Sequence, residues 1–379
     1  MAHSDVCTGC GACASTCPVD CIRMVEDKEG FLQPKVDGKK CIGCHRCEKT
    51  CPILNKEPIK KGQTKAFAAI NKDEAVRMRS SSGGVFHALA KWVVEQGGVV
   101  FGARFDEHWE VMHDYAETLE GVEAFMGSKY IQSRIGNTYK QAKTFLEDGR
   151  WVLFSGTPCQ LGGLRAYLGK EYDRLVQVDL ICHGVPSPKV WRSYLKENLK
   201  RGVVKTVSFR DKENGWKDSQ NVLISATANT IRERQMDNLF FRGFIRNVYL
   251  RRSCYSCQFR SCHRNSDLTI ADYWGVQDLC PEMFDDKGTS LVFSHTRLGN
   301  EMIQQKGSGV VYMEQALDDA VRYNPSMESD VPKDNRRRWF FRLFAFMPFN
   351  KAAKVIDKDG FVTRLKRKVK KLVKYFCYA

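Results

Sequence analysis

Short apolar runs separated by polar, glycine-rich breaks recur through the middle of the chain. Residues 66–70 (AFAAI), 99–105 (VVFGARF), 151–156 (WVLFSG) and 175–182 (LVQVDLIC) have strand length and little polar character, as buried strands do. Residues 85–98 follow a helical period that ends at Gly97-Gly98, and helical stretches are also expected before Gly149, over about 161–168 and over 190–200. Residues 109–117 read as the hairpin partner of 99–105. Strands alternating with helices predict an α/β arrangement. From Val203 the period shortens to two: 204–211 and 221–228 alternate, with Asn214-Gly215 in the turn between them. Residues 268–275 and 289–296 are further strands, and 299–323 reads as a helix, a strand and a helix.

The first fifty-six residues follow a different rule. Cys7, Cys10, Cys13 and Cys17-Pro18 form a C-x2-C-x2-C-x3-C-P run, which Cys41, Cys44, Cys47 and Cys51-Pro52 repeat. This is the spacing of a two-cluster bacterial ferredoxin, in which the fourth cysteine of each run ligates the other run's cluster. Cys7, Cys10, Cys13 and Cys51 are therefore expected on one [4Fe-4S] cluster, and Cys41, Cys44, Cys47 and Cys17 on the other. Structural zinc is the alternative. Cys21 has no slot in the pattern and reads as a small buried residue. Residues 57–65 read as a linker.

With 379 residues, the chain is too long for one small core. Nine of its sixteen cysteines fall in the first fifty-one residues, eight of them at metal-ligand spacing, which argues for thiolate ligands in a reducing cytoplasm rather than disulfides. No signal peptide or membrane-crossing apolar span is read. The formal charge of +16 is concentrated at the end: residues 333–379 carry fifteen Lys and Arg against three Asp.

Cys254, Cys257 and Cys262 form a third group, C-x2-C-x4-C, beside His263. A third [4Fe-4S] cluster is expected there, with Cys182 as the leading fourth ligand and Cys159, Cys280 and His263 as alternatives; a zinc knuckle or buried thiols is the other reading. Iron-sulfur clusters move single electrons, whereas a flavin converts them to hydride equivalents. Ser80–Gly84 at a helix start and Gly156–Gln160 between strand and helix are loops suited to flavin oxygens or phosphate. Lys129 would place a positive charge near the ring or a phosphate, and Asp272 would hydrogen-bond the cofactor. Turn glycines, a helix cap and a surface lysine are the bland readings of the same residues. No G-x-G-x-x-G follows a strand, so a Rossmann nucleotide site is not indicated.

RSSSGGVF (79–86), GSKYIQS (127–133), FSGTPCQLGGLRAYL (154–168), VDLICHGVPSPKVW (178–191), CYSC (254–257) and LTIADYWGV (268–276), behind the doubled cysteine run, together resemble the coenzyme F420 hydrogenase/dehydrogenase beta-subunit family over about residues 1–345. The resemblance implies FAD held by Ser81, Ser82, Gly83, Gly84, Lys129, Tyr130, Gln132, Ser133, Thr157, Pro158, Cys159 and Gln160. It implies electrons passing between clusters and a deazaflavin or another acceptor. The fused ferredoxin and basic tail look like versions encoded beside polysaccharide genes in anaerobic bacteria, so a sugar derivative or an oxidised cofactor is the expected substrate class. The expected fold is α+β: a two-cluster ferredoxin domain (1–56), a mixed α/β FAD-binding body in two parts (66–202 and 203–332) and a basic helical tail (333–379).

The expected function is an iron-sulfur flavoprotein oxidoreductase that exchanges electrons with ferredoxin or a similar carrier and hydride with a small molecule. Cys159, His183 and Tyr130 are the candidates for handling protons. The rivals are an electron-transfer subunit serving a separate catalytic partner and a non-enzymatic iron-sulfur protein. In the tail, aromatic residues 339–349 precede Val362, Leu365, Val369, Leu372 and Phe376 at helical spacing among Lys and Arg. Such a helix lies on an anionic membrane surface, docks on a partner or packs on its own body. Nucleic acid is not expected as a partner, homo-oligomers are allowed, and the location is cytoplasmic, with the inner membrane face as an option.

Overall fold

The structure is a computed structural model that describes residues 4–59, 64–199, 203–217, 221–227, 229–305 and 308–357. The amphipathic pattern of 362–376 lies outside the described residues. The described residues form thirteen strands: β1 (Ile22–Glu26), β2 (Leu32–Val36), β3 (Lys65–Asn71), β4 (Val99–Phe105), β5 (Val111–Ala116), β6 (Val152–Gly156), β7 (Leu175–Leu180), β8 (Val204–Asp211), β9 (Asn221–Ala226), β10 (Thr230–Arg234), β11 (Leu268–Asp272), β12 (Ser290–Ser294) and β13 (Val310–Gln315).

Among its described residues, the front domain holds only the β1–β2 hairpin and two four-residue helices, each preceding the fourth cysteine of a run. So little regular structure leaves the cysteine loops as its interior. Periodicity marks this hairpin weakly: Ile22 and Met24 of β1 alternate, as do Leu32, Pro34 and Val36 of β2, but each strand is five residues long and of the ten residues only Ile22 is buried.

One eight-stranded sheet forms the body, in the order β13-β3-β12-β11-β7-β6-β4-β5. Strands from both halves of the body interleave in it. β4, β6, β7 and β11 pair in parallel, while β5, β12, β3 and β13 pair antiparallel, so the sheet is mixed. The parallel strands read as continuous apolar runs because helices cover both of their faces. The Val85–Glu95 helix packs Val85, Leu89 and Val93 with Val100, Leu153 and Val176. The Pro158–Leu168 helix packs Leu161 and Leu164 with Phe101 and Phe154 on the other side. β8, β9 and β10 form a separate antiparallel sheet whose Phe209, Val222 and Ile224 join the Leu239–Ile245 helix in a third core. β10 escapes the sequence reading because four of its five residues are exposed and charged or polar.

The aromatic part of the tail packs on its own body. Phe340 and Phe349, in the helices Arg336–Phe344 and Phe349–Asp357, are fully buried against Tyr249 and Tyr194, while Phe346 is left 91% exposed. Arg337 bridges two regions: its Nε donates to Leu250 O at 2.9 Å, and its other nitrogens pair with Glu29 of the front domain. Phe341 meets Phe31 of the front domain edge-on. No described helix is long and apolar enough to cross a membrane.

Candidate functional site

Parallel strands end on one edge of a sheet, and the loops leaving that edge converge. Here β6 delivers Thr157 and Cys159, β7 delivers Cys182 and His183, and β11 delivers Asp272 and Trp274. With the loops 80–86 and 125–133, they enclose a cavity of about 640 Å³. Arg210 at the end of β8, with Phe241 and Phe244 of the Leu239–Ile245 helix, lines another side of it. The 80–84 loop lies tight on the sheet: a Cβ on Gly83 would come within 2.4 Å of Ala69 O and 2.6 Å of Ser290 N. Gly84 starts the next helix at φ +80°, where a side chain is strained.

Of the residues expected around a cofactor, Ser81, Ser82, Gly84, Lys129, Tyr130, Gln132, Ser133, Thr157, Cys159, Gln160 and Asp272 line this cavity. Gly83 and Pro158 are not in its lining. Many of the others already have protein partners. Ser81 Oγ accepts from Ser128 N at 2.7 Å, and Ser82 Oγ donates to Thr289 O at 2.7 Å. Gln160 Oε1 accepts from Thr157 N–H at 3.0 Å, capping its helix, and Gln160 Nε2 donates to Ser133 Oγ at 2.8 Å. Ser133 in turn bonds His113 Nδ1 at 2.8 Å; burial pushes His113 down to about 4, so this ring is neutral at pH 7. Gln132 reaches toward the front domain instead, donating to Thr8 O at 3.2 Å and accepting from Arg251.

Asp272 forms a buried ion pair with Arg210. Its expected role as a direct cofactor ligand therefore competes with a partner that the sequence does not reveal. Arg210 also bonds Tyr130 and lies over the Trp274 ring at 5.2 Å. Lys129 Nζ donates to Ala124 O and Met126 O at 2.9 and 2.7 Å, and desolvation with Arg104 nearby pulls it down to about 7. Burial likewise draws Lys212 toward about 7, yet its Nζ donates to Arg77 O, Ser82 O and Lys287 O within 2.9 Å. Three accepting carbonyls need three N–H donors, so we assign it as the ammonium. His183 Nε2 contacts Asn247 Oδ1 at 2.6 Å, and burial lowers its pKa.

The cysteines gather in three sets. Cys10 and Cys13 each sit in the electrostatic reach of Cys7 and Cys51, the cross-run set expected from spacing. In the second set, Cys17 packs with Cys47 beside it, and Cys41 lies near Cys21. Cys21 is buried with its Sγ 3.4 Å from Cys17 Sγ, so the cysteine without a slot lies directly against a ligand position.

The third set departs from the spacing. Cys159, Cys182, Cys254 and Cys257 interact pairwise throughout, and burial with this crowding pushes Cys182 and Cys254 up to about 12. Cys262 is not among them: its electrostatic neighbours are Glu328 and Arg264, and it packs with Ile181 and Met327 in another core. Cys280 contacts Met313 and Gln315. His263 is bonded to Thr64 at 2.8 Å. By sequence Cys159 is both an alternative ligand and a proton-handling candidate, and its position favours the former. The signal that points to it is the cavity edge: Cys159 and Cys182 follow neighbouring parallel strands. No three described His, Cys, Asp or Glu side chains close around a single metal ion. Four thiolates on a cubane stand farther apart than those on one ion.

The first and third sets are close neighbours. A Cβ on Gly163 would lie 3.0 Å from Cys10 Sγ and 2.8 Å from Tyr139 Oη, so the Pro158–Leu168 helix packs directly on the front domain. Cys10 and Cys159 feel each other, and buried Tyr139 lies between the two sets. Arg251 fastens this junction by donating to Cys7 O at 2.7 Å and Leu32 O at 2.9 Å.

Comparison with known proteins follows the same division of the chain. Residues 6–54 match the 4Fe-4S dicluster domain, and residues 149–319 match the C terminus of the coenzyme F420 hydrogenase/dehydrogenase beta subunit. A chain of the F420-reducing [NiFe] hydrogenase complex from Methanosarcina barkeri, solved as a xenon derivative, aligns at 17% identity and a TM-score of 0.46. That alignment covers 71% of this chain and 92% of the other. No curated protein matches. The chain thus joins a 4Fe-4S dicluster domain to a mixed α/β body whose residues 149–319 match the C-terminal part of the coenzyme F420 hydrogenase/dehydrogenase beta-subunit family.

Proposed function

We propose that the chain is an iron-sulfur flavoprotein oxidoreductase in which electrons run between the front domain, the Cys159–Cys182–Cys254–Cys257 cage and an FAD in the large cavity. The observation that carries this reading is a shared wall: Cys159 and Cys182 belong to the cage and also line the cavity. Any group in the cavity would therefore lie beside the end of a cysteine relay that begins in the front domain.

The residues fit a flavin. The cavity is within the size range of cofactor sites. Among the described residues, the buried donors Arg210 Nε and Asn324 Nδ2 have no partner, and both belong to residues in its wall. A buried unpaired donor costs about 1–3 kcal/mol, so a ligand oxygen there is favoured. When bound, the flavin would exchange single electrons with clusters and hydride with a substrate. The chain's own residues supply the rest. Arg210, paired with Asp272, keeps its positive charge in the cavity wall, and Lys129, drawn down to about 7, is divided between ammonium and amine near neutral pH. Tyr130 is held between Arg210 and the rings of Phe209, Phe241 and Phe244. His183, tied at Nε2 to Asn247, keeps Nδ1 toward Ser326 Oγ at 3.5 Å, and this pair would handle a proton beside the cage.

A small substrate, a sugar derivative or an oxidised cofactor, would be hydride donor or acceptor, with ferredoxin or a similar carrier at the other end. Anaerobic purification with iron, sulfide and flavin analysis tests the reading. About twelve irons per chain and one reducible FAD are expected from three cubanes. A colourless protein holding zinc would end it. Turnover of a small molecule by the isolated chain would separate an enzyme from a subunit that only relays electrons.

A further inference from the structure

The two cysteine runs of the front domain differ in their surroundings. Cys10 and Cys17 are buried, whereas Cys41 and Cys44 are exposed. Every residue from Lys39 to His45 is exposed. Ile42 stands between the two exposed cysteines with 64% of its surface open, and Leu54 is 50% open. Asn55 Nδ2 donates to the Glu48 and Lys49 carbonyls, at 2.6 and 3.1 Å, which places Leu54 and Lys56 beside the Arg46–Lys49 helix. That helix buries none of its residues.

Charge surrounds this apolar centre. Lys39, Lys40, Arg46, Lys49 and Lys56 are exposed along the same two segments; of the acidic residues there, Glu48 is engaged by His45 at 2.9 Å and Asp37 Oδ1 accepts from Lys39 N–H at 3.1 Å. An apolar centre with a charged rim is the anatomy of a protein contact. Here it overlies the cysteines nearest to solvent. Its sign selects the occupant. A second copy of the same face, or the basic 333–379 segment, would meet like charge.

We propose that this face is the docking site for a small acidic one-electron carrier protein. In each encounter one electron would pass from the carrier to the cluster that Cys17, Cys41, Cys44 and Cys47 would hold; no bond would form and no proton would move. Two encounters supply the pair that one hydride step consumes. The proposal rests on the relay proposed above and adds its point of entry.

Stopped-flow mixing of the anaerobic holoprotein with fully reduced flavodoxin tests it. Flavodoxin is an acidic carrier, and its semiquinone absorbs apart from iron-sulfur clusters. Steering by charge multiplies association rates by about 10–10³. The second-order rate should therefore fall at least about tenfold in Lys39→Glu/Lys40→Glu. It should fall similarly for the unaltered protein in about 1 M salt, where the Debye length is about 3 Å. Ile42→Asp should slow transfer at both salt concentrations. Iron content and the final extent of reduction by dithionite should not change in any variant. A rate indifferent to both charge reversal and salt overturns the proposal, as does a concentration-dependent dimer that Lys39→Glu/Lys40→Glu abolishes. A protein that dithionite reduces but flavodoxin does not sinks the dock and leaves the relay standing. One that neither reduces sinks the relay itself.

Discussion

The front cysteine sets and the Cys159–Cys182–Cys254–Cys257 set of the body use the same side chain and are built by opposite means. In the front domain, three cysteines of each proposed set lie within seven residues of one another, and the fourth would come from the matching run. In the body, Cys159 begins a helix, Cys182 follows a strand, and Cys254 and Cys257 lie in and beside the Arg252–Ser256 turn. The first kind of site is written into local spacing, and the chain around it barely needs to fold. The second exists only after a sheet has set two strands side by side. Cys262 shows the difference: its spacing from Cys257 looks like a ligand's, yet the chain carries it toward Glu328.

The sharpest way to break this comparison is to remove one cysteine at a time. Cys159→Ala should lower iron from about twelve to about eight per chain, one cubane's worth, while Cys262→Ala should leave it unchanged. Iron analysis with electron paramagnetic resonance of the reduced protein reads both. The reverse result would return the third site to local spacing.

A second test strains the junction between the two kinds of cage. Gly163→Val places side-chain atoms against Cys10 Sγ and Tyr139 Oη, where a Cβ alone has 3.0 and 2.8 Å. Overpacking of this kind costs about 1–3 kcal/mol. Denaturant melts should show the loss, and single-turnover reduction of the body should slow more than reduction of the front domain.

Acid provides a third. His113 and His295 are buried and held near 4, below their ordinary 6.5, chiefly by desolvation. A histidine whose pKa is depressed by folding favours the native state above 6.5, and that contribution disappears as pH falls toward 4. Each shift corresponds to about 3 kcal/mol at most. The melting temperature should therefore fall between pH 6.5 and 4, and His113→Gln should flatten the profile. Both residues belong to the sheet-built body, so the front domain should lose iron over a different pH range.

The smallest effect is expected at Cys21. Cys21→Ser should leave the iron count intact and shift the midpoint potential of only one front cluster, since its Sγ lies 3.4 Å from Cys17 Sγ. Redox titration followed by electron paramagnetic resonance reads the shift.

How much of this is legible in the sequence follows from the same contrast. Buried parallel strands announce themselves as apolar runs, and β4 falls on the residues that the pattern marks. β10 stays silent because solvent faces four of its five side chains, and β1 and β2 because each alternates over only five residues with little buried. In the site, the loops at 80–84 and 157–160 can be located from the strands before them. Arg210, Asn324 and His113 cannot, because nothing in their neighbouring sequence says that a distant strand or turn will bring them to the same cavity. Nor can spacing tell that Asp272 is claimed by Arg210.

The helix Arg336–Phe344 holds the front domain through Arg337 and Phe341, yet it is made after nearly all the rest of the described chain. Domains fold from the N-terminus as synthesis proceeds. The cysteine loops therefore emerge long before their clasp, and iron delivery has an open interval in which to reach them. The clasp then shuts only on a chain whose body is already complete, so maturation is ordered by the position of one helix.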